Sequence, residues 1–259
     1  MGRANGSADS FGVHLQGMPR LFAIGDLHLP STLGKTMDRF GWVGHPAPLA
    51  QSWDARVAEE DLVLVVGDIS WASKAVEAIP DLEWLQARPG RKLLVKGNHD
   101  FWWGASHRKQ SELLAPYPTI VEFLSNGSAA RLGGVVVAGT RGWTCPEAPG
   151  LPGGEMGDES LRPEIVEREA DRLTRSITAA TRFRSAADSF VVAMHFPPLY
   201  ANEKTTVFSR LIEAARPDVC VYGHLHGPGI PAGFTGKHAG VKYVLASCDA
   251  AGFAPVRLL

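Results

Sequence analysis

The chain has 259 residues, 45% of them hydrophobic, and a formal net charge of −1 at pH 7. That length can bury a substantial core as one domain, and the near-zero charge excludes the strong basic footprint of a general nucleic-acid or membrane-surface binder. The three cysteines, Cys145, Cys220 and Cys248, are widely spaced and form no Cys-x-x-Cys pair. This excludes a disulfide framework or zinc knuckle and fits reduced thiols in the cytoplasm.

Residues 1–17 are polar and rich in Gly and Ser. They read as a flexible tail, with Met18-Pro19-Arg20-Leu21 as a natural start and residues 18–259 as a single domain. The N-terminus has no basic-then-apolar signal peptide, and Gly6 stands where a myristoylation motif wants Ser or Thr. The first apolar run, Leu21-Phe22-Ala23-Ile24, ends in Gly25-Asp26-Leu27-His28. A Gly/Pro-rich stretch from Gly41 to Pro48 reads as a surface loop, with His45 lining the site as the lesser alternative, and is followed by a helix over about 47–60. The run Leu62–Val66 ends in Gly67-Asp68, before a helix over about 74–87. The run Lys92–Val95 leads into Gly97-Asn98-His99-Asp100 and the adjacent Trp102 and Trp103, then a helix over about 106–115.

The run Val135–Ala138 leads into Gly139-Thr140-Arg141-Gly142-Trp143. The Pro/Gly-rich stretch from Cys145 to Gly157 has the character of a functional loop that sets selectivity. Pro163 suits the first turn of a helix over 162–184, on which Val166, Ala170, Leu173, Ile177 and Ala180 recur at helical spacing. Its Arg and Glu residues are expected to face solvent, with an Arg-lined cap over the site as the lesser alternative. The run Phe190–Met194 ends in His195, a helix is expected over 203–215, and the run Val219–Tyr222 ends in Gly223-His224-Leu225-His226. Two more strand-like runs, 242–246 and 254–258, close the chain. No run approaches the roughly 18 apolar residues of a membrane span.

Continuous apolar runs of this kind read as strands buried on both faces. Five of them end in residues that ligate metals. In layered α/β proteins, ligands bind beyond the carboxyl ends of the strands. Carboxylates, an amide and imidazoles converging there suit divalent first-row metals.

All five blocks, in this order, are similar to those of calcineurin-like metallophosphoesterases, a family of binuclear-metal phosphoester hydrolases. The stretches Gly67–Ala72, Gly97–Trp103 and Gly139–Trp143 resemble a bacterial predicted-phosphohydrolase subgroup. The resemblance runs from about Leu21 to about His226. It implies an α/β fold: a four-layer αββα sandwich, two mixed β-sheets packed face to face and flanked by helices. It also implies two divalent metal ions, with Mn or Fe favoured over Zn, Ni or Co. Asp26, His28 and His226 would hold one ion, Asn98, His195 and His224 the other, and Asp68 would bridge them. A hydroxide shared by the metals would attack the phosphorus of a small or medium phosphomonoester or phosphodiester. His99 would protonate the leaving oxygen or stabilise the phosphoryl charge. Asp100 would orient His99, or equally cap the following helix.

Arg141 could clamp a phosphate oxygen or be a solvated loop residue. Trp102 and Trp103 could stack a base or aryl group, although core packing is favoured for most of the tryptophans. Serine/threonine protein phosphatases carry an Asp-Arg pair shortly after the second block, where this chain reads Ile69-Ser70-Trp71-Ala72-Ser73. Protein-phosphatase activity is therefore not expected. The expected partner is a small-molecule phosphoester, with no membrane and no nucleic acid. A nuclease or a non-catalytic scaffold on the same fold are the competing readings, and the filled ligand positions weigh against the scaffold.

Overall fold

The computed structural model describes residues 19–104, 106–124, 127–148 and 161–259. The tail expected over 1–17, and the Cys145–Gly157 stretch from residue 149 onward, lie outside the described residues. The strands are β1 (Leu21–Ile24), β2 (Leu62–Val66), β3 (Arg91–Val95), β4 (Ile120–Leu124), β5 (Ala129–Leu132), β6 (Val135–Thr140), β7 (Ser189–Met194), β8 (Val219–Tyr222), β9 (Gly236–His238), β10 (Val241–Leu245) and β11 (Val256–Arg257). The helices are α1 (Ala47–Arg56), α2 (Ile79–Gln86), α3 (His107–Leu114), α4 (Pro163–Phe183) and α5 (Val207–Ala215).

One sheet has the order β11-β1-β2-β3-β4 and the other β5-β6-β7-β8-β10-β9. The strands inside each sheet are parallel, while β11, β5 and β9 pair antiparallel at the edges, so both sheets are mixed. The alternation of side chains across a strand explains the unbroken apolar runs. Leu21 and Ala23 turn inward to meet Leu64 and Val95 of their own sheet and Val137, Val191 and Val221 of the other. Phe22 and Ile24 turn outward, under Trp53 of α1 and Leu82 and Leu85 of α2. On the opposite outer face, Val136, Val192 and Cys220 pack under Leu173 of α4 and Phe208 and Ile212 of α5. The result is the expected four-layer sandwich of helix, sheet, sheet and helix.

The differences from expectation lie at the ends of elements. α1 stops at Arg56 because the Asp61 carboxylate accepts from the Ala58 N–H at 2.7 Å and the Arg20 N–H at 3.0 Å, turning the chain into β2. α5 begins after Thr206, whose hydroxyl accepts from the Ser209 N–H at 3.0 Å while Ser209 Oγ accepts from the Thr206 N–H at 2.9 Å. The segment expected as one helix over 74–87 is a short 3₁₀ turn, 75–78, followed by α2, with Pro80 in the first turn of α2. Strands β4, β5 and β9 were not expected, being short and lying at or beside sheet edges. Among the described residues no helix is long and apolar enough to cross a membrane.

Strand register positions the site. Thr140 is level with Met194, and Ala193 with Val221, so Arg141, His195 and Gly223 emerge close together. Val66 is level with Val95, which brings the Gly67-Asp68 and Gly97-Asn98 turns side by side. The approach is so close that a Cβ on Gly97 would overlap the amide and carboxylate of Asp68. We expect Gly97→Ala to destabilise the fold by about 1–3 kcal/mol and to displace Asp68. Denaturant unfolding together with a metal assay would check this, and unchanged values of both would refute the close approach.

Candidate metal centre

Four residues of the strand-end loops hold left-handed backbone although none is glycine: Asp26 (φ 54°), His28 (φ 43°), Asp68 (φ 51°) and His224 (φ 71°). Such conformations cost about 1–3 kcal/mol each and persist where the surroundings enforce them, commonly at functional sites. Here they aim the side chains inward. Asp26, His28, Asp68 and His195 are all buried.

The side chains converge. One ligand atom from each of Asp26, His28 and His226 lies within 4.8 Å of the others, and the same holds for Asp26, Asp68 and His195. Asp68 faces two ways: Oδ2 is 3.9 Å from His28 Nε2, and Oδ1 is 3.6 Å from His195 Nε2. Asp68 Oδ1 also accepts from the His99 N–H at 2.9 Å. The Asp26 carboxylate accepts from the His224 N–H at 2.9 Å, which joins the loops after β1 and β8.

The donor set fits divalent cations on two grounds. First, both ring nitrogens of His28 are buried without a hydrogen-bond partner, a costly state for a polar group. Burial, reinforced by the His226 and His99 rings, holds His28 far below the usual imidazole range, so the ring is neutral and offers one nitrogen lone pair. Second, His195 Nδ1 lies 3.0 Å from the Val66 carbonyl and donates to it. That tautomer leaves Nε2 as a lone pair 2.6 Å from Asn98 Oδ1, two acceptors whose repulsion a shared cation removes. Burial also pushes Asp26 up to about 6, against the pull of His226 and His224.

The other expected site residues are placed as follows. The His99 ring is partly open to solvent, its Nε2 3.9 Å from Asp68 Oδ2. Asp100 neither caps a helix nor turns toward the His99 ring. It is fully buried and accepts from the Gly97 N–H at 2.8 Å, the Ile69 N–H at 2.9 Å, the Ser70 N–H at 3.3 Å and the Trp102 indole at 2.9 Å. It thus clamps the third block to the second, and α3 is capped by Ser106 instead. Trp102 is a core residue whose indole N–H is spent on Asp100, so stacking a substrate is not its task. Trp103 packs in the same cluster, its ring 5.4 Å from that of Trp102, but it also lines a cleft together with Lys96 and Arg141. Arg141 is neither solvated nor inside the ligand cluster. Its guanidinium lies 4.8 Å over the Trp143 ring and 3.7 Å from Glu169. Glu169 itself corrects the expectation that α4 turns its charges to solvent, because it is fully buried.

The aromatic at the centre is Trp71. It stacks on His28 (4.6 Å, 21°) and leans on His99 (4.7 Å, 56°). Its place two residues after the Gly67-Asp68-Ile69 stretch marks it as a loop residue near the site, but nothing in the sequence distinguishes it from the other tryptophans.

Behind this loop, Asp81 of α2 accepts from Ser70 Oγ at 2.5 Å and the Ser31 N–H at 3.1 Å, and burial pushes its carboxyl up to about 6. The unfolded value is about 3.9. Between these values the folded chain holds the proton that the unfolded chain has lost, so this group lowers stability as pH rises from about 4 to about 6. Asp81→Asn is expected to flatten that fall in metal-free protein. Denaturant midpoints across the window would show it, and an unchanged slope would remove Asp81 as its source.

The sequence matches the calcineurin-like phosphoesterase family over residues 19–228, and the chain belongs to that family. The Gene 66 protein of Mycobacterium phage D29 is 35% identical over 117 residues, covering 44% of this chain and 56% of that protein. The Gene 66 protein of Mycobacterium phage L5 is 38% identical over 88 residues, covering 34% of this chain and 42% of that protein. The chain thus spans about half the length of these curated relatives. Among solved structures, phosphopantetheinyl hydrolase from Mycobacterium tuberculosis superposes with a TM-score of 0.51 at 18% identity, over 93% of this chain and 96% of that one. The protein TT1561 of Thermus thermophilus gives 0.53 at 15% identity, over 81% and 83%. Both share the fold.

Proposed function

We propose that the chain is a two-metal hydrolase of small or medium phosphomonoesters or phosphodiesters, with Mn or Fe as the favoured ions. The observation that carries this reading is the double aspect of Asp68, one oxygen toward His28 and the other toward His195. In this reading Asp26, His28 and His226 form one ligand set, Asn98, His195 and His224 the other, and Asp68 serves both. Bound there, two divalent cations supply charge neutralisation for a phosphoryl group and acidify a water.

The protein's own groups do the rest. His99 stands at the open side of the cluster, where a ring N–H can hold a proton for the departing oxygen. Trp71 stacks against His28 and His99, fixing both rings and keeping water from that side. Asp100 holds the Asn98–His99 turn against the Asp68 turn through backbone amides on both sides. A nearly neutral chain favours small substrates over nucleic acid. The three buried, free cysteines fit a reducing cytoplasm.

The deciding experiment strips the protein of metal, reloads it with Mn²⁺, assays metal content, and follows p-nitrophenyl phosphate beside bis-p-nitrophenyl phosphate. Metal-dependent turnover is expected, and the ratio of rates separates monoester from diester chemistry. A protein that takes up no metal would refute the reading.

A further inference from the structure

A second cleft, of 290 Å³, opens beside the candidate centre between β6, α4 and the loop after β3. Lys96, Arg141, Arg168 and Arg172 line it, and among the described residues lining it Glu169 is the sole carboxylate. Glu169 is fully buried and well satisfied: it accepts from Thr140 Oγ1 and from an Arg172 guanidinium nitrogen, each at 2.6 Å. Arg141 and Arg168 stand farther off, each 3.7 Å from Glu169 Oε1. One carboxylate needs one well-placed guanidinium. Four cations around it leave an excess of three positive charges in a partly desolvated cleft.

The geometry of Arg141 says that this excess is meant for a ligand. Arg141 has its Nε buried without a hydrogen-bond partner, while its guanidinium plane is held against Trp143. Crowding cations without enough anions is unfavourable, and a bound polyanion reverses the sign. Guanidinium forks match phosphoryl oxygens in geometry as well as charge.

The position adds the rest. Lys96 lies two residues before Asn98, and the Arg141 carbonyl accepts from the His195 N–H at 3.2 Å and the Phe196 N–H at 2.9 Å. The cleft therefore borders the Asn98–His195 side of the centre. We propose that the cleft between Lys96, Arg141, Arg168 and Arg172 binds a second phosphoryl group of the substrate, so that the preferred substrates are phosphoesters carrying a further phosphate away from the scissile one. This rests on the two-metal phosphoesterase reading for the scissile end.

The test has two arms. In the first, pyrophosphate is titrated calorimetrically into metal-stripped protein and into the stripped Lys96→Gln/Arg168→Gln double variant, which leaves the Arg172–Glu169 pair in place. Saturable binding that weakens about tenfold or more in the variant is expected, with an unchanged melting temperature showing that the variant is folded. No binding to the parent protein, or equal affinity in a folded variant, overturns the proposal. In the second arm, Mn²⁺-loaded enzyme is given fructose 1,6-bisphosphate beside fructose 6-phosphate as probes. The bisphosphate is expected to have the higher kcat/KM, through KM, and to lose that advantage in the variant. Pyrophosphate binding in the cleft without any bisphosphate preference overturns the substrate assignment in favour of free inorganic phosphate. The arms fail separately: absence of turnover with every phosphoester counts against the two-metal reading, whereas the first arm needs no metal.

Discussion

Asp68→Asn is expected to lose turnover altogether and to bind metal more than about 100-fold more weakly, since even outer partners of a ligand contribute 10–100-fold. The substitution is unusually clean here. Asp68 sits at φ 51°, a left-handed conformation that Asn adopts at least as readily. Its Oδ1 accepts the His99 N–H at 2.9 Å, and an Asn carbonyl oxygen can keep that bond. What disappears is the negative charge and the second oxygen facing His28. Metal content by elemental assay and turnover of p-nitrophenyl phosphate would be measured on the same sample. Full occupancy with near-normal activity would refute the bridging role.

His99→Ala should behave differently. The backbone N–H of residue 99 keeps its bond to Asp68, so the loop that carries Asn98 stays in place and both metals remain. The missing imidazole should slow turnover about 10²–10⁴-fold if the ring is the general acid. The deficit should shrink with p-nitrophenyl esters, whose leaving group departs without a proton, and be largest with alkyl phosphates. An equal deficit for every leaving group would mean that the ring acts on the phosphoryl charge instead. Loss of metal in the variant would show that Trp71, deprived of one of its two ring neighbours, no longer holds His28.

The buried strands and the ligand blocks at their ends were legible because both depend on local patterns, while the four-layer sandwich followed from the family resemblance. Runs such as Leu62–Val66 leave no polar position for a solvated face, so each had to be buried on both sides, and the polar residue at its end had to lie on the rim. Less legible was anything decided by packing between distant elements. Asp100 carries the same motif whichever group it bonds to, and only the approach of the Ile69-Ser70 backbone determines that it clamps a turn. The helical spacing of α4 identified its apolar stripe but gave no sign that Glu169, beside Ala170, is buried with Thr140 and Arg172. Trp71 and Trp102 look alike in sequence, and only the fold makes one a neighbour of His28 and the other a core residue.

Both proposed ligand sets draw on both sheets: Asp26, His28 and Asn98 follow β1 and β3, while His195, His224 and His226 follow β7 and β8. The rim is already stitched without metal, by the Gly25–Ser247 bridge and by the His224 amide on Asp26. A loaded centre would act as a rivet through the sandwich, since neither sheet can slide or peel away without stripping ligands from both ions. The inner strands of the two sheets would then open to solvent in a single event, and their amide protons would exchange at a common slow rate that separates into two when the rivet is withdrawn.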